Sequence, residues 1–155
     1  LYQLLLKIVK IVSLNENFKN VSFSFEKNCD SCSICADEDQ LKQVFINLLN
    51  NAAEAMEESL NKKIEIVLDD NESSVAVKIK DYGCGIPKEN MSKLFTPFFT
   101  TKKMGKGTGL GLAIAYGIIK MHKGDIKVKS EVGKGSEFIL TFPKYLQNSS
   151  YNEQS

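Results

Sequence analysis

The sequence predicts an α+β fold: a two-layer α/β sandwich in which a mixed, mostly antiparallel sheet of about five strands packs on three helices. Three observations lead there. Short stretches alternate apolar and polar residues, the period of a half-buried strand. Longer stretches repeat apolar residues at i, i+3 and i+4, the stripe of a helix with one buried side. The strand-like stretches follow one another across short turns rich in Asp, Asn and Gly, which makes most of them hairpins.

The elements follow in chain order. Residues 4–12 are apolar with a helical tendency. Val21, Phe23 and Phe25 alternate with polar residues and read as a strand; residues 28–31 read as a turn and 33–36 as a short strand. Asp37 is placed to cap the next helix, with Gln40 three residues on as the capping-box partner. That helix runs to about Glu58 and carries one apolar stripe: Leu41, Val44, Phe45, Leu48, Leu49, Ala52 and Met56. Gln43, Asn47, Asn51 and Glu54 share another face. Ile64, Ile66 and Leu68, then Val75, Val77 and Ile79, form a hairpin around a turn at residues 69–72. A glycine-rich loop occupies 81–87, a short helix 88–94, and a stretch without period, read as a mobile loop, 95–108. Glycines open a helix over 110–121. The last two strands, 125–129 and 137–142, join through Gly133, Lys134 and Gly135.

Composition narrows the function classes. The chain has 155 residues, 43% hydrophobic and 25% charged, which suits one globular domain over residues 1–145 with a polar, disordered tail at 146–155. A net charge of +1 offers no basic excess for a nucleic-acid partner. No apolar run approaches the roughly 18 residues of a membrane span, so direct membrane contact is not expected. The chain opens at Leu1 and reads as a piece of a longer protein. Cys29, Cys32 and Cys35 have a spacing that could hold zinc or an iron–sulfur cluster, with Cys84 as a distant fourth ligand. No second cysteine pair or nearby histidine completes such a site, and reduced thiols in a cytoplasmic protein are the expectation.

Four segments carry candidate chemistry. Asn47 and Asn51 lie four apart on one helix, so their amides project side by side; an amide oxygen is a hard neutral ligand suited to Mg²⁺. Asp81, followed by Gly83, Gly85, Ile86 and Pro87, puts a carboxylate at a strand end, where it can accept from an exocyclic amine such as that of adenine; the glycines let backbone approach a flat ring. Gly107, Thr108, Gly109, Leu110 and Gly111 open a helix whose free N–H groups and dipole favour phosphate. Between these, Phe95 and Phe98 could hold down a loop from which Lys102 or Lys103 reaches phosphates. Taken singly, each has an ordinary structural explanation: a solvated helix face, a strand-ending turn, a pinned loop.

Their order and spacing together closely resemble the catalytic domain of sensor histidine kinases, within the superfamily of gyrase, heat-shock chaperone and MutL ATP-binding domains, whose two-layer sandwich is the Bergerat type. Residues 47–52 look like the N box, 81–87 the first glycine box, 94–102 the F box and 107–111 the second glycine box. Gly133, Gly135, Ser136 and Phe138 resemble the closing Gly-x-Gly-Ser/Thr-x-Phe element. The wording Phe98-Phe99-Thr100-Thr101-Lys102 and the later Tyr116-Gly117-Ile118-Ile119-Lys120-Met121-His122 are most similar to sporulation and nitrogen-regulator-type sensor kinases. The resemblance implies Asn51 as Mg²⁺ ligand with Asn47 near the phosphates. It implies Asp81 as reader of the adenine amine, Gly85 as the residue that lets the ring lie close, and Ser136 as a member of the polar network of Asp81. Gly107, Gly109 and Gly111 would cradle phosphates with Lys102 or Lys106, and Phe95 and Phe98 would anchor the lid. Gly83, Ile86, Thr108 and Leu110 complete the implied contacts to Mg·ATP.

The resemblance also separates enzyme types. Hydrolysing relatives and anti-sigma-factor serine kinases carry a glutamate four residues before the metal-binding asparagine. Here that residue is Asn47, which cannot take a proton at neutral pH. The expectation is therefore transfer of the γ-phosphoryl group to a histidine, an intrinsically better nucleophile, on a dimerisation domain of the same protein. From there it passes to an aspartate of a response-regulator receiver domain. A monomeric fragment of a homodimeric parent, in the cytoplasm with the parent either free or membrane-anchored, fits that role. The alternatives are a stand-alone protein kinase of the anti-sigma-factor type and a nucleotide-sensing module. His122, the only histidine, ends a helix and reads as structural and partly charged through the helix dipole.

Overall fold

The computed structural model describes residues 1–102 and 107–146. Among these residues four helices and five strands follow in order: α1 (Tyr2–Val12), a 3₁₀ turn (Glu16–Phe18), β1 (Ser22–Asn28), α2 (Glu38–Ala55), β2 (Lys63–Asp70), β3 (Ser74–Asp81), α3 (Lys88–Met91), α4 (Gly111–Met121), β4 (Asp125–Glu131) and β5 (Gly135–Pro143). The strands form one sheet ordered β1-β2-β3-β5-β4. All neighbours are antiparallel except β1 and β2, which run parallel. That exception follows from connectivity. The link from β1 to β2 contains all of α2, and a crossover of that length is what parallel neighbours need.

Alternation sets the two faces. In β2 and β3 every second residue is buried: Ile64, Ile66 and Leu68, then Val75, Val77, Ile79 and Asp81. Phe138, Leu140 and Phe142 of β5 and Ile126 of β4 share that face, and the stripe of α2 packs on it as one core with Leu5 and Ile8 of α1 and Ala115 and Ile119 of α4. Each fully buried side chain of the Leu, Ile or Phe size contributes about 1.5–3 kcal/mol over its exposed state.

Several expectations need correction. Residues 33–36 form no strand, because their backbone is not paired in any sheet. β2 runs through Asp70, and the tight turn falls instead at Asn71, whose Oδ1 accepts from Ser73 N and Ser74 N, each at 2.8 Å. α3 is four residues long rather than seven. Asp37 caps α2, its Oδ1 accepting from Gln40 N at 3.1 Å. The reciprocal bond goes elsewhere: Asp37 N donates to His122 Nε2 at 3.0 Å, while His122 Nδ1 lies 2.7 Å from Ile118 O. His122 thus joins the end of α4 to the start of α2 through both ring nitrogens, the structural role expected of it. Cys29 and Cys32 are not separate thiols; their sulfurs are bonded as a disulfide. The expected tail lies outside the described residues from 147 onward.

Candidate functional site

The end of the sheet where β3 stops is built by register. Asp81 is the fourth inward position of β3, after Val75, Val77 and Ile79, and it pairs with Ser136 of β5, which pairs with Ser130 of β4. One row of the helix-facing surface thus turns from apolar, at Phe23 and Ile64, to polar, at Asp81, Ser136 and Ser130. Asp81 is only 3% exposed. Burial pushes its carboxyl above the ordinary aspartate range, and backbone N–H groups of Gly83 and Ser136 pull it part of the way back. The Gly83 bond, to Asp81 Oδ1, is 2.9 Å long. Ser130 Oγ lies 2.8 Å from Ser136 Oγ and accepts from Ile86 N at 2.8 Å, so it ties the glycine loop to the β4–β5 hairpin.

The glycines of that loop are required by this chain's own packing. A Cβ on Gly83 would sit 2.5 Å from Ala55 O, the atom that also accepts from Cys84 N at 3.0 Å. Gly85 has φ +75, and its Cβ would lie 2.2 Å from Glu131 O. The nearest demand at Gly85 is thus the backbone of β4, where the resemblance implied a flat ring. Gly135, at φ +102, would put a Cβ 2.1 Å from Asp81 O.

The second half of the site surrounds the exposed side of α2. Asn47 Nδ2 donates to Gly111 O at 3.2 Å, joining α2 to the first turn of α4. Asn51 Oδ1 accepts from Lys102 Nζ at 3.2 Å, and the same ammonium is ion-paired with Glu54. The first turn of α4 has no acidic residue and no side-chain cap, which leaves its N–H groups and the positive end of its dipole without a protein counter-charge. Thr108 Oγ1 turns back to accept from Leu110 N at 3.3 Å. Gly109, at φ +72, is pressed against the backbone of Phe98, and Phe98 N donates to Gly109 O at 2.9 Å.

The two phenylalanines part company. Phe95 stacks on Tyr116 of α4 with ring centroids 5.2 Å apart and packs against the core. Phe98 is 73% exposed with φ 67, and among the described residues it meets the site through its backbone. Lys106 lies outside the described residues. The structure therefore groups Asp81, Gly83, Gly85, Ile86 and Ser136 at one end. It groups Asn47, Asn51, Lys102, Gly107, Thr108, Gly109, Leu110 and Gly111 along α2 and the start of α4.

Sequence reading missed two residues of this arrangement. Ser130 had a signal, being the polar third member of the inward series Ile126, Val128, Ser130 in β4. Glu54 had a weaker one: it shares the α2 face of Asn47 and Asn51, but its lysine partner is 48 positions away along the chain.

Comparison with known proteins gives concordant matches. The sequence profile of the family described as histidine kinase-, DNA gyrase B- and HSP90-like ATPases matches residues 36–146. Sporulation kinase A of Bacillus subtilis (strain 168) is 46% identical over 121 residues, 78% of this chain and 19% of that protein. Sensor histidine kinase ZraS of Escherichia coli (strain K12) is 37% identical over 135 residues, 87% of this chain and 28% of that protein. Among solved structures, the catalytic domain of histidine kinase ThkA superposes with a TM-score of 0.79 at 37% identity, covering 92% of this chain and 93% of that one. The chain spans about a fifth to a third of the length of the curated relatives it matches.

Proposed function

The chain belongs to the family of histidine kinase-, DNA gyrase B- and HSP90-like ATPases, and from that premise we propose that it binds Mg·ATP and presents the γ-phosphoryl group to a histidine carried elsewhere in a longer protein. The observation that supports this best is the meeting of α2, the Lys102 loop and the opening of α4. Asn47 reaches Gly111 O, and Lys102 reaches Asn51 and Glu54, around a helix start with no acidic side chain of its own.

Each group has a task on this reading. The Asp81 carboxylate, desolvated and fixed by Gly83 and Ser136, accepts from the adenine amine. Asn51 Oδ1 suits a hard cation as a neutral oxygen donor, and among the described residues its side-chain partner is a lysine that can leave. Bound Mg²⁺ would neutralise charge on the phosphates. The N–H groups at the start of α4 and Lys102 stabilise the charge on the γ-phosphoryl oxygens as it leaves its bridging oxygen. Asn47 offers no carboxylate to deprotonate water, so the site orients and neutralises rather than hydrolyses. The acceptor imidazole, on a dimerisation domain of the parent, needs no strong base. Transfer to a receiver-domain aspartate would follow, in the cytoplasm. Among the described residues no helix is long and apolar enough to cross a membrane.

Calorimetric titration of the chain with ATP, with and without Mg²⁺, tests the reading. Saturable heat that strengthens with Mg²⁺ is expected; no heat at millimolar nucleotide removes it. Incubation with γ-labelled ATP should leave His122 unlabelled, since both its ring nitrogens are engaged in structural bonds.

A further inference from the structure

The cysteine-rich segment between β1 and α2 takes no part in the nucleotide site, yet its construction is specific. Cys29 and Cys32 are bonded through sulfur and each is 7% exposed, while Cys35, three residues further on, is a free and exposed thiol. Among the described residues no group of three or more His, Cys, Asp or Glu is disposed to hold a metal ion. The segment has no strand or helix of its own. It is fixed instead at two carbonyls: Leu1 N donates to Cys32 O at 3.2 Å and Tyr145 N to Ser33 O at 2.8 Å. No ladder of sheet bonds has to break for the sulfurs to part. A ring of only four residues also constrains the unfolded chain little, so stapling the fold is a weak reason for the bond.

We propose that Cys29, Cys32 and Cys35 form a thiol–disulfide exchange site, with small-molecule disulfides and thiols as its reactants and Cys35 as its port of entry. Starting from the reduced segment, the exposed Cys35 thiolate attacks one sulfur of an external disulfide RSSR. This forms a Cys35–SR mixed disulfide and releases one RS⁻, which takes up the proton Cys35 gave up. Cys32 then attacks the Cys35 sulfur and expels the second RS⁻. Cys29 attacks Cys32, forms the buried pair and returns Cys35 as a free thiol. The sum is two protein thiols plus RSSR giving one protein disulfide plus two RSH, a two-electron exchange that the same thiols reverse. Burial explains the order, because an external disulfide cannot approach Cys29 or Cys32 as it can Cys35. The closed pair lies in the short connection that ends at Asp37, the cap of α2, the helix that carries Asn47 and Asn51.

The test is independent of nucleotide binding. The chain is equilibrated in glutathione buffers from fully reduced to fully oxidised, quenched with an alkylating agent and digested with trypsin, which releases residues 28–42 as one peptide holding all three cysteines. That peptide should pass from three alkyl groups to one alkyl group with two hydrogens lost as the buffer becomes oxidising. The peptide containing Cys84 forms no internal disulfide and serves as the control. In Cys35→Ser the Cys29–Cys32 disulfide, read there as the loss of both alkyl groups, should form at least about tenfold more slowly. Three alkyl groups at every buffer composition, a disulfide that survives the most reducing buffer, or equal rates in the two proteins would each overturn the proposal.

Discussion

The two ends of the candidate site are made by different means. At the β3 end, Asp81, Ser136 and Ser130 sit on three adjacent strands. Their places are fixed by sheet register, their polar atoms are bonded to one another or to backbone, and Asp81 and Ser136 are buried. Along α2, the contacts of Asn51, Glu54 and Lys102 are half-exposed and made between single side chains. The first end is finished before any ligand arrives. On the proposed reading, the second holds contacts that an incoming cation and phosphates exchange. A rigid end suits recognition of an invariant base, and an exchangeable end suits the part of the ligand whose charge changes during reaction.

If register is what makes the first end, breaking it there should have the largest effect. Gly135→Ala places a methyl 2.1 Å from Asp81 O at φ +102. Strain of this kind costs of order 1–3 kcal/mol, and the residue cannot move without shifting Ser136. We expect denaturant unfolding to show a loss at the upper end of that range, with nucleotide affinity falling alongside. An unchanged midpoint would mean that the hairpin is as adjustable as the α2 side.

Asp81→Asn separates recognition from stability at that same end. A hydrogen bond to a charged group is worth about 1.5–3 kcal/mol, so ATP affinity measured by calorimetry should fall by roughly ten- to a hundredfold. The fold should not suffer. The carboxyl of Asp81 is raised in the folded state by burial, so the folded protein binds its proton more readily than the unfolded chain. Stability from this group is therefore gained as pH falls through the window between the ordinary aspartate value and the raised one, and lost as pH rises through it. The variant lacks that dependence. It should equal or exceed the parent in stability at neutral pH and lose the advantage in acid; the opposite trend would show that Asp81 is a structural anion.

At the other end, Asn51→Ala should remove the benefit of Mg²⁺ while sparing the metal-free component of nucleotide binding. On the proposed reading the loss is one neutral oxygen donor, and affinity in Mg²⁺ should drop by about tenfold, the scale of one hydrogen bond to a charged partner. Titrations run with Mg²⁺ and with a chelator decide it: an equal loss in both places Asn51 outside the metal site.

The same contrast explains what the sequence disclosed. Alternation revealed β2, β3 and β5, and the apolar stripe revealed α2, because both are local periods that burial enforces. The boxes around Asp81 and Asn51 were legible because glycine and asparagine at those spacings are unusual as a set. What escaped was made by contacts between distant parts of the chain. Residues 33–36 looked like a strand but have no neighbouring strand to pair with. Phe98 reads as an anchor in the sequence, yet its ring is exposed and its amide binds Gly109. Cys29 and Cys32 bond to each other where spacing alone left several fates open. Glu54 looked like one more charge on a solvated face until Lys102 arrived from another loop.

Glu54→Gln probes the smallest term in the comparison, and its sign is informative. In the structure the Lys102 ammonium rests between Asn51 Oδ1 and the Glu54 carboxylate, both of which are partly exposed. An ammonium at Asn51 and a divalent cation at the same oxygen repel one another. On the proposed reading, loading the site therefore has Lys102 leave Glu54 before it turns to the phosphates. An exposed ion pair of this kind is worth about 0.2–1 kcal/mol, so neutralising Glu54 should tighten ATP binding by no more than about fivefold. The gain should shrink with added salt as screening takes over. In a Lys102→Met background the substitution should have no effect, because the ammonium it acts through is gone. If Glu54→Gln instead weakens binding, and only when Mg²⁺ is present, the carboxylate is a partner of the metal, and the exchangeable end is more fully built in the empty protein than its contacts suggest.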